Sequence, residues 1–131
     1  VDKIIREGWQ HGMVLTGFSA GGICWFEECL TDSLAGDPQA IKGLGFLKGS
    51  ACPHYDAEEL RRPTYIRRVT NQEILPGFAL NDFTAVHFKD GKFFKALSTK
   101  KEINPIKVSI DGTETVLEAE VIPHVKGCSA I

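Results

Sequence analysis

Residues 13–22 read MVLTGFSAGG, and this stretch decides the fold of the chain. Its apolar start is typical of a buried parallel strand, and the glycines on either side of Ser19 predict a tight turn. From Ala20 to Leu30 the spacing becomes helical, with Ile23 and Phe26 on the same side as Leu30. The expected order is therefore strand, turn and helix, preceded by a short amphipathic helix at residues 2–10.

The rest of the chain continues with buried strands and then with hairpins. The sequence predicts a strand at Leu44–Leu47, a partly helical segment at Glu58–Arg68, a strand at Phe78–Leu80, and hairpins around Asp90-Gly91 and Asp111-Gly112. Strands that alternate with helices early and form hairpins late indicate an α/β sheet with an antiparallel extension.

The composition is that of an ordinary globular domain. The chain has 131 residues, of which 43% are hydrophobic and 24% charged, and its formal net charge is −2. No basic block indicates a nucleic-acid partner, and no apolar run reaches the roughly 20 residues that a membrane-spanning helix needs. Without a visible signal peptide, a cytoplasmic location is expected.

The four cysteines are interpreted as reduced, buried thiols rather than as ligands. They are Cys24, Cys29, Cys52 and Cys128, and none forms a C-x-x-C pair. The sequence therefore predicts no metal site and no cofactor.

Residues 17–21 fit the pattern G-x-S-x-G, which in a strand-to-helix turn exposes a serine hydroxyl. Ser19 is therefore a candidate nucleophile. The backbone N–H of Ala20, at the start of the helix, is a candidate oxyanion donor. The alternative is a serine that caps the helix beside glycines that merely fit the turn.

A catalytic serine needs a base, and His54 is the best placed of the four histidines. It follows a buried strand directly, as Ser19 does, and the carboxyl ends of strands in open α/β sheets gather at one crevice. His11 lies at the wrong end of the Ser19 strand, His87 lies inside a hairpin strand, and His124 is close to the C-terminus.

Three segments together resemble the peptidase E (aspartyl dipeptidase) family of serine peptidases: residues 17–22, 53–55 and 80–82. Residues 23–33 resemble its less characterised bacterial branch, and the similarity runs from about Val1 to Leu97. The resemblance implies a three-layer sandwich related to class I glutamine amidotransferases (flavodoxin-like), with serine as the nucleophile. It also implies hydrolysis of short peptides, of which removal of N-terminal aspartate from dipeptides is the best-known case.

The resemblance supports Ser19 as nucleophile and His54 as base, and it offers two acids as the third member. Asp32 matches the family's acid position after the nucleophile helix, and Asp82 matches a second acid that follows a later strand. Either would orient His54. Arg61 falls near a family arginine that recognises the substrate's aspartate carboxylate, for which a guanidinium fork is well suited.

The resemblance also implies that residues 1–131 are the C-terminal part of one catalytic domain. The family's first strands and a glycine-rich loop with a second oxyanion donor would then lie upstream of Val1. We expect this chain alone to be a poor enzyme unless a complementing N-terminal segment completes it. Unpaired sheet edges also favour a homo-oligomer.

Two other functions fit the same residues. A lipase-type α/β hydrolase would use Ser19, Asp111 and His124 in that order. An amidotransferase-like domain kept for binding would use none of them. A glutamine amidotransferase proper is not expected, because Ser19 occupies its nucleophile position and Cys24 lies too far along the helix.

Overall fold

A computed structural model describes residues 1–33 and 36–123. Three helices are present in these ranges: α1 (Asp2–Gln10), α2 (Ala20–Ile23) and α3 (Arg61–Thr70). The strands are β1 (Phe26–Thr31), β2 (Gln39–Lys42), β3 (Leu47–Cys52), β4 (Gly77–Ala79), β5 (Thr84–Lys89), β6 (Lys92–Ser98), β7 (Ile106–Val108), β8 (Glu114–Val116) and β9 (Ala119–Val121).

Six of the strands form one sheet, in the order β2-β1-β3-β4-β7-β8. Its centre is parallel, because β1 pairs with β3 and β3 with β4 in the same direction. The strands outside this centre pair antiparallel to their neighbours. The carboxyl ends of the parallel strands therefore meet at one edge. The predicted α/β class is confirmed, whereas the amidotransferase-like layering stays a prediction.

The sheet is covered on both faces. Successive residues of the central strands alternate between two core clusters, as strand geometry requires. Leu30, Cys52 and Ala79 pack with Tyr65 and Val69 of α3. Their neighbours on the other face are Cys29, Ala51 and Phe78, which pack with Val86 and Phe88 of β5.

The predicted helix at residues 20–30 is wrong beyond Ile23. The helix ends there, and Phe26–Thr31 is the central strand β1. Phe26, Cys29 and Leu30 are all buried, and positions i, i+3 and i+4 also describe one face of a helix. A strand that is buried on both faces lacks the alternation of apolar and polar residues. The spacing that matched one face of a helix therefore came from residues on the two buried faces of a strand.

The predicted buried strand at residues 13–17 is also wrong. The segment has no strand pairing, and side chains at its two ends face solvent, with 86% of Val14 and 90% of Phe18 exposed. Hydrogen bonds to a neighbouring strand are what would hold it extended, and none of the described strands lies beside it. The predicted oligomer or complementing segment stays a prediction.

The later elements follow the sequence more closely. The helix predicted at Glu58–Arg68 forms two to three residues further on, and the second buried strand begins at Leu47 rather than at Leu44. The first hairpin is confirmed, with positive φ at both Asp90 and Gly91 as a type I′ turn requires. The second hairpin is confirmed in β7 and β8, although its last predicted residues form β9 and join the smaller sheet β5-β6-β9.

Two of the cysteines are deeply buried as predicted. Cys29 and Cys52 are free thiols in the core, Cys24 is half-buried, and Cys128 lies outside the described residues. Burial raises the pKa of Cys52 to about 12, so this thiol stays protonated at neutral pH. No helix within the described ranges is both long and apolar enough to cross a membrane.

Candidate active site

Ser19 lies in a strained turn directly before α2. Its backbone has φ 49° and ψ −127°, a conformation that non-glycine residues rarely adopt. Gly17 makes the turn possible, because a side chain there would collide with the carbonyl of Gly21. The turn therefore exposes the Ser19 hydroxyl at the carboxyl edge of the sheet, as G-x-S-x-G turns do.

His54 faces Ser19 from the turn that follows β3. Its Nε2 lies 2.9 Å from Ser19 Oγ, although the two residues are 35 positions apart in the chain. His54 also has a positive φ of 53°, so strained backbone occurs on both sides of this hydrogen bond. Such strain persists only where the surrounding structure enforces it, and it is concentrated at functional sites.

Asp82 completes a chain of hydrogen bonds. It lies just beyond the end of β4, and its Oδ1 is 2.8 Å from Nδ1 of His54. A neutral imidazole with its proton on Nδ1 donates to Asp82 and leaves Nε2 free to accept from the Ser19 hydroxyl. The arrangement can therefore draw a proton from Ser19 and stabilise the resulting imidazolium.

Asp32, the other candidate acid, contacts a different partner. It follows β1 at the same edge of the sheet, but its Oδ1 lies 2.8 Å from Nη2 of Arg61. No contact between Asp32 and His54 is found among the described residues. The geometry therefore favours Asp82 over Asp32 as the group that orients His54.

Arg61 occupies an environment that does not suit the predicted recognition of a substrate carboxylate. Only 3% of its side chain is exposed, and its guanidinium also donates to Glu58 and to the carbonyl of Leu30. Burial alone would lower its pKa, but Glu58 and Asp32 raise the pKa above the usual value. These bonds use the guanidinium fork within the fold, so they favour a structural role.

The Ala20 N–H lies beside Ser19 in the first turn of α2. It donates no hydrogen bond to another described residue, whereas the next three N–H groups bond to Phe18 and Ser19 carbonyls. This free donor is available to a ligand oxygen, as the sequence predicted. Its role stays a prediction.

A cavity of about 930 Å³ opens in front of these groups. Ser19, His54 and Asp82 line it, and its walls are largely apolar and aromatic. Trp25, Phe46, Leu80, Val86 and Phe88 contribute to these walls. Pockets of this size and character are typical of small-ligand sites.

The remaining histidines and the acid of the lipase-type alternative make no hydrogen bond with Ser19, His54 or Asp82 within the described ranges, although His87 also lines the cavity. His11 bonds to the carbonyl of Glu7 at the end of α1, and His87 packs edge-on against Phe94. Asp111, the acid of the lipase-type alternative, accepts the N–H of Thr113 in its own turn, and His124 lies outside the described residues. Among residues 1–33 and 36–123, no group of three or more potential ligands is placed to hold a metal ion.

One contact at the site was not anticipated from the sequence. The carboxylate of Asp56, two residues after His54, accepts the backbone N–H of Asp82 at 2.9 Å. Aspartate side chains often accept backbone N–H groups in turns, and this was the available signal. Sequence reasoning does not reveal which N–H is bound when it lies 26 residues away.

Comparison with known proteins places the chain in a family. The sequence profile of peptidase family S51 matches residues 1–96. The chain is 45% identical over 108 residues to the "Uncharacterized peptidase YgaJ" of Bacillus subtilis (strain 168), a match that covers 82% of this chain and 46% of the relative. The chain therefore spans about half the length of the curated relative it matches.

Proposed function

This chain belongs to peptidase family S51, and on that premise we propose that it carries the nucleophile, base and acid of a serine peptidase that hydrolyses short peptides. The observation that supports the proposal is the hydrogen-bonded series from Ser19 Oγ through the His54 ring to Asp82 Oδ1, with distances of 2.9 and 2.8 Å. The membership of this chain in family S51 confirms the expected peptidase E-like family. The name of the Bacillus subtilis relative also describes a peptidase.

In the proposed reaction, Ser19 Oγ attacks the carbonyl carbon of the scissile peptide bond while its proton passes to His54 Nε2. The C–N bond then breaks, and the same proton goes to the leaving amine. His54 then takes a proton from water as the water oxygen attacks the resulting ester, the C–Oγ bond breaks, and His54 returns the proton to Ser19 Oγ as the acid leaves. The imidazolium that forms in both halves of the reaction is stabilised by the Asp82 carboxylate.

The Ala20 N–H is the proposed oxyanion donor. It belongs to the residue that directly follows Ser19, and it has no hydrogen-bond partner among the described residues. One such donor, positioned in advance, is typically worth about 10²–10³ in rate.

The proposed substrates are short peptides, and the proposal includes no specificity for aspartate. The Arg61 guanidinium, which the resemblance offered for aspartate recognition, pairs with Asp32 and Glu58, and this supports a proposal without aspartate specificity. Arg61 therefore carries no substrate contact in this proposal, and its contribution is to the fold.

The test is fluorophosphonate labelling of the full-length protein, with mass spectrometry to locate the adduct. We expect an adduct on Ser19 that disappears in Ser19→Ala and falls sharply in His54→Ala. The matched control is His11→Ala, which removes an exposed histidine bonded only within its own helix end. Absence of labelling in the wild type would favour the alternative of a binding domain, and full reactivity of His54→Ala would favour the lipase-type triad.

A further inference from the structure

The turn between β3 and α3 carries two groups that hold Asp82 at once. His54 binds its side chain, and Asp56 binds its backbone. We propose that Asp56 is a positioning residue, which fixes the Asp82 carboxylate against His54. This inference rests on the proposed function, since it concerns the acid of that site.

The contacts form a regular series. The ladder between β3 and β4 ends where Cys52 pairs with Ala79. Two backbone bonds continue it, from Leu80 N–H to the Cys52 carbonyl at 2.8 Å and from Tyr55 N–H to the Leu80 carbonyl at 3.1 Å. The turn then leaves the sheet, and the Asp56 carboxylate supplies the next bond in place of a backbone carbonyl.

Apart from the bonds to His54 and Asp56, few contacts of Asp82 itself are found among the described residues. It lies at the second position of a turn closed by the N–H of Thr84 and the carbonyl of Asn81, which are 3.2 Å apart. The N–H at this position has no partner inside such a turn. The flanking residue Phe83 has a positive φ of 69°, and the Asp82 side chain is 40% exposed. Among the described residues, the Asp56 bond is the direct hydrogen bond found to the Asp82 backbone, while the carbonyls of the flanking Asn81 and Phe83 accept bonds from Thr84 and Thr99.

The consequence for the proposed chemistry is a matter of geometry. A carboxylate that orients a base must stay within hydrogen-bond distance of Nδ1, and a shift of about 1 Å away from the productive geometry can cost about 10² in rate. Because Asp56 and His54 belong to the same turn, Asp82 is positioned relative to His54 and not relative to a distant part of the fold.

The test uses three variants of the full-length protein, with the rate of Ser19 modification by a fluorophosphonate and the kcat and KM for a short peptide as readouts. In Asp56→Ala the carboxylate is lost, and we expect about a tenfold to hundredfold fall in labelling rate and in kcat, with KM little changed. In Asp56→Asn the acceptor oxygen remains, and we expect rates within about threefold of wild type. Glu28→Ala is the matched control, since it removes a carboxylate that accepts the Leu75 N–H at the opposite edge of the sheet.

A double-mutant cycle separates positioning from a general effect on the fold. If Asp56 acts through Asp82, then Asp56→Ala has no further effect once Asp82→Ala is present. Equal losses in both backgrounds, or a wild-type rate in Asp56→Ala alone, would overturn the inference while leaving the proposed function intact. An unreactive Ser19 in the wild-type protein would overturn the proposed function, and the inference with it.

Discussion

The hydroxyl of Tyr55 donates a 2.7 Å hydrogen bond to the carboxylate of Glu114, across 59 residues of sequence. The same carboxylate accepts a second bond from Arg62 at 2.6 Å. Because Tyr55 directly follows His54, this buried tyrosine attaches the turn that carries the proposed base to strand β8. The stability of that attachment depends on the ionisation of Glu114.

We expect the contribution of Glu114 to stability to disappear in acid. Burial would raise the pKa of Glu114, but the bonds from Arg62 and Tyr55 outweigh burial and lower the pKa. A lowered pKa in the folded state means that the contribution is complete above the ordinary glutamate pKa of about 4.3 and is lost as the pH falls below it. Glu114→Gln should cost about 1–3 kcal/mol at pH 7.

The measurement is the Tm of wild type and Glu114→Gln between pH 7 and pH 3. The difference between the two should shrink as the pH falls. Glu118→Gln, which alters an exposed glutamate close by, is the control. A Tm difference that is constant across this range would contradict the prediction.

Arg61 should be needed for stability, and lysine should not replace it. Its guanidinium binds three oxygens from a buried position, and lysine lacks the planar fork that reaches them together. We expect Arg61→Ala to lower the free energy of unfolding by about 2–3 kcal/mol and Arg61→Lys to recover little of it. Urea denaturation measures both.

Arg67→Ala is the control for this comparison. Arg67 lies on the same helix, but it is largely exposed and 3.8 Å from Asp37. Such surface pairs are worth about 0–1 kcal/mol. Arg61→Ala as mild as Arg67→Ala would show that the buried bonds add nothing.

The two glycines of the G-x-S-x-G turn should respond oppositely to alanine. A Cβ on Gly17 would meet the carbonyl of Gly21, whereas a Cβ on Gly21 would meet nothing within 4 Å. Gly17→Ala should therefore cost about 1–3 kcal/mol, and Gly21→Ala, inside α2, should be neutral or stabilising by up to about 1 kcal/mol. The measurement is the Tm of both variants. Equal changes in Tm would contradict the prediction and would mean that the turn shifts to accommodate a side chain at Gly17.

The two candidate acids should be separable by kinetics. Asp82→Asn should reduce kcat of the full-length protein by about 10³–10⁴, because the amide no longer stabilises the imidazolium or fixes the tautomer. Asp32→Asn removes the negative charge that pairs with Arg61 and should act mainly on stability. Rates and Tm measured for both variants test this assignment. A collapse of kcat in Asp32→Asn at unchanged Tm would reverse the assignment.

The sequence could predict that Ser19 and His54 lie together, although only part of the reasoning holds. Both were expected beyond the end of a strand, and their side chains are 2.9 Å apart, but only His54 follows a strand, because residues 13–17 form none. The choice between Asp32 and Asp82 was not accessible, since both lie beyond strand ends at the same edge. Their partners separate them, His54 for Asp82 and Arg61 for Asp32, and pairing between distant residues leaves no periodic signal.

The errors in the predicted fold have one physical source. Spacing reports which residues are buried but not what buries them. Phe26, Cys29 and Leu30 matched a helical face because β1 is buried from both sides. Conversely, residues 13–17 have the composition of a buried strand, and yet no described strand pairs with them. Both cases depend on neighbours that local sequence does not specify.

Phe83 alone separates the proposed acid from the first residue of β5. The six-stranded sheet thus ends its fourth strand just before Asp82, and the chain then enters the hairpin whose Val86 and Phe88 form a wall of the cavity. The wall against which a peptide would press and the carboxylate that would serve the base are consequently one continuous piece of chain. If a bound peptide displaced the hairpin, the displacement would reach Asp82 through Phe83, so we expect the fit of a substrate to affect the position of the acid.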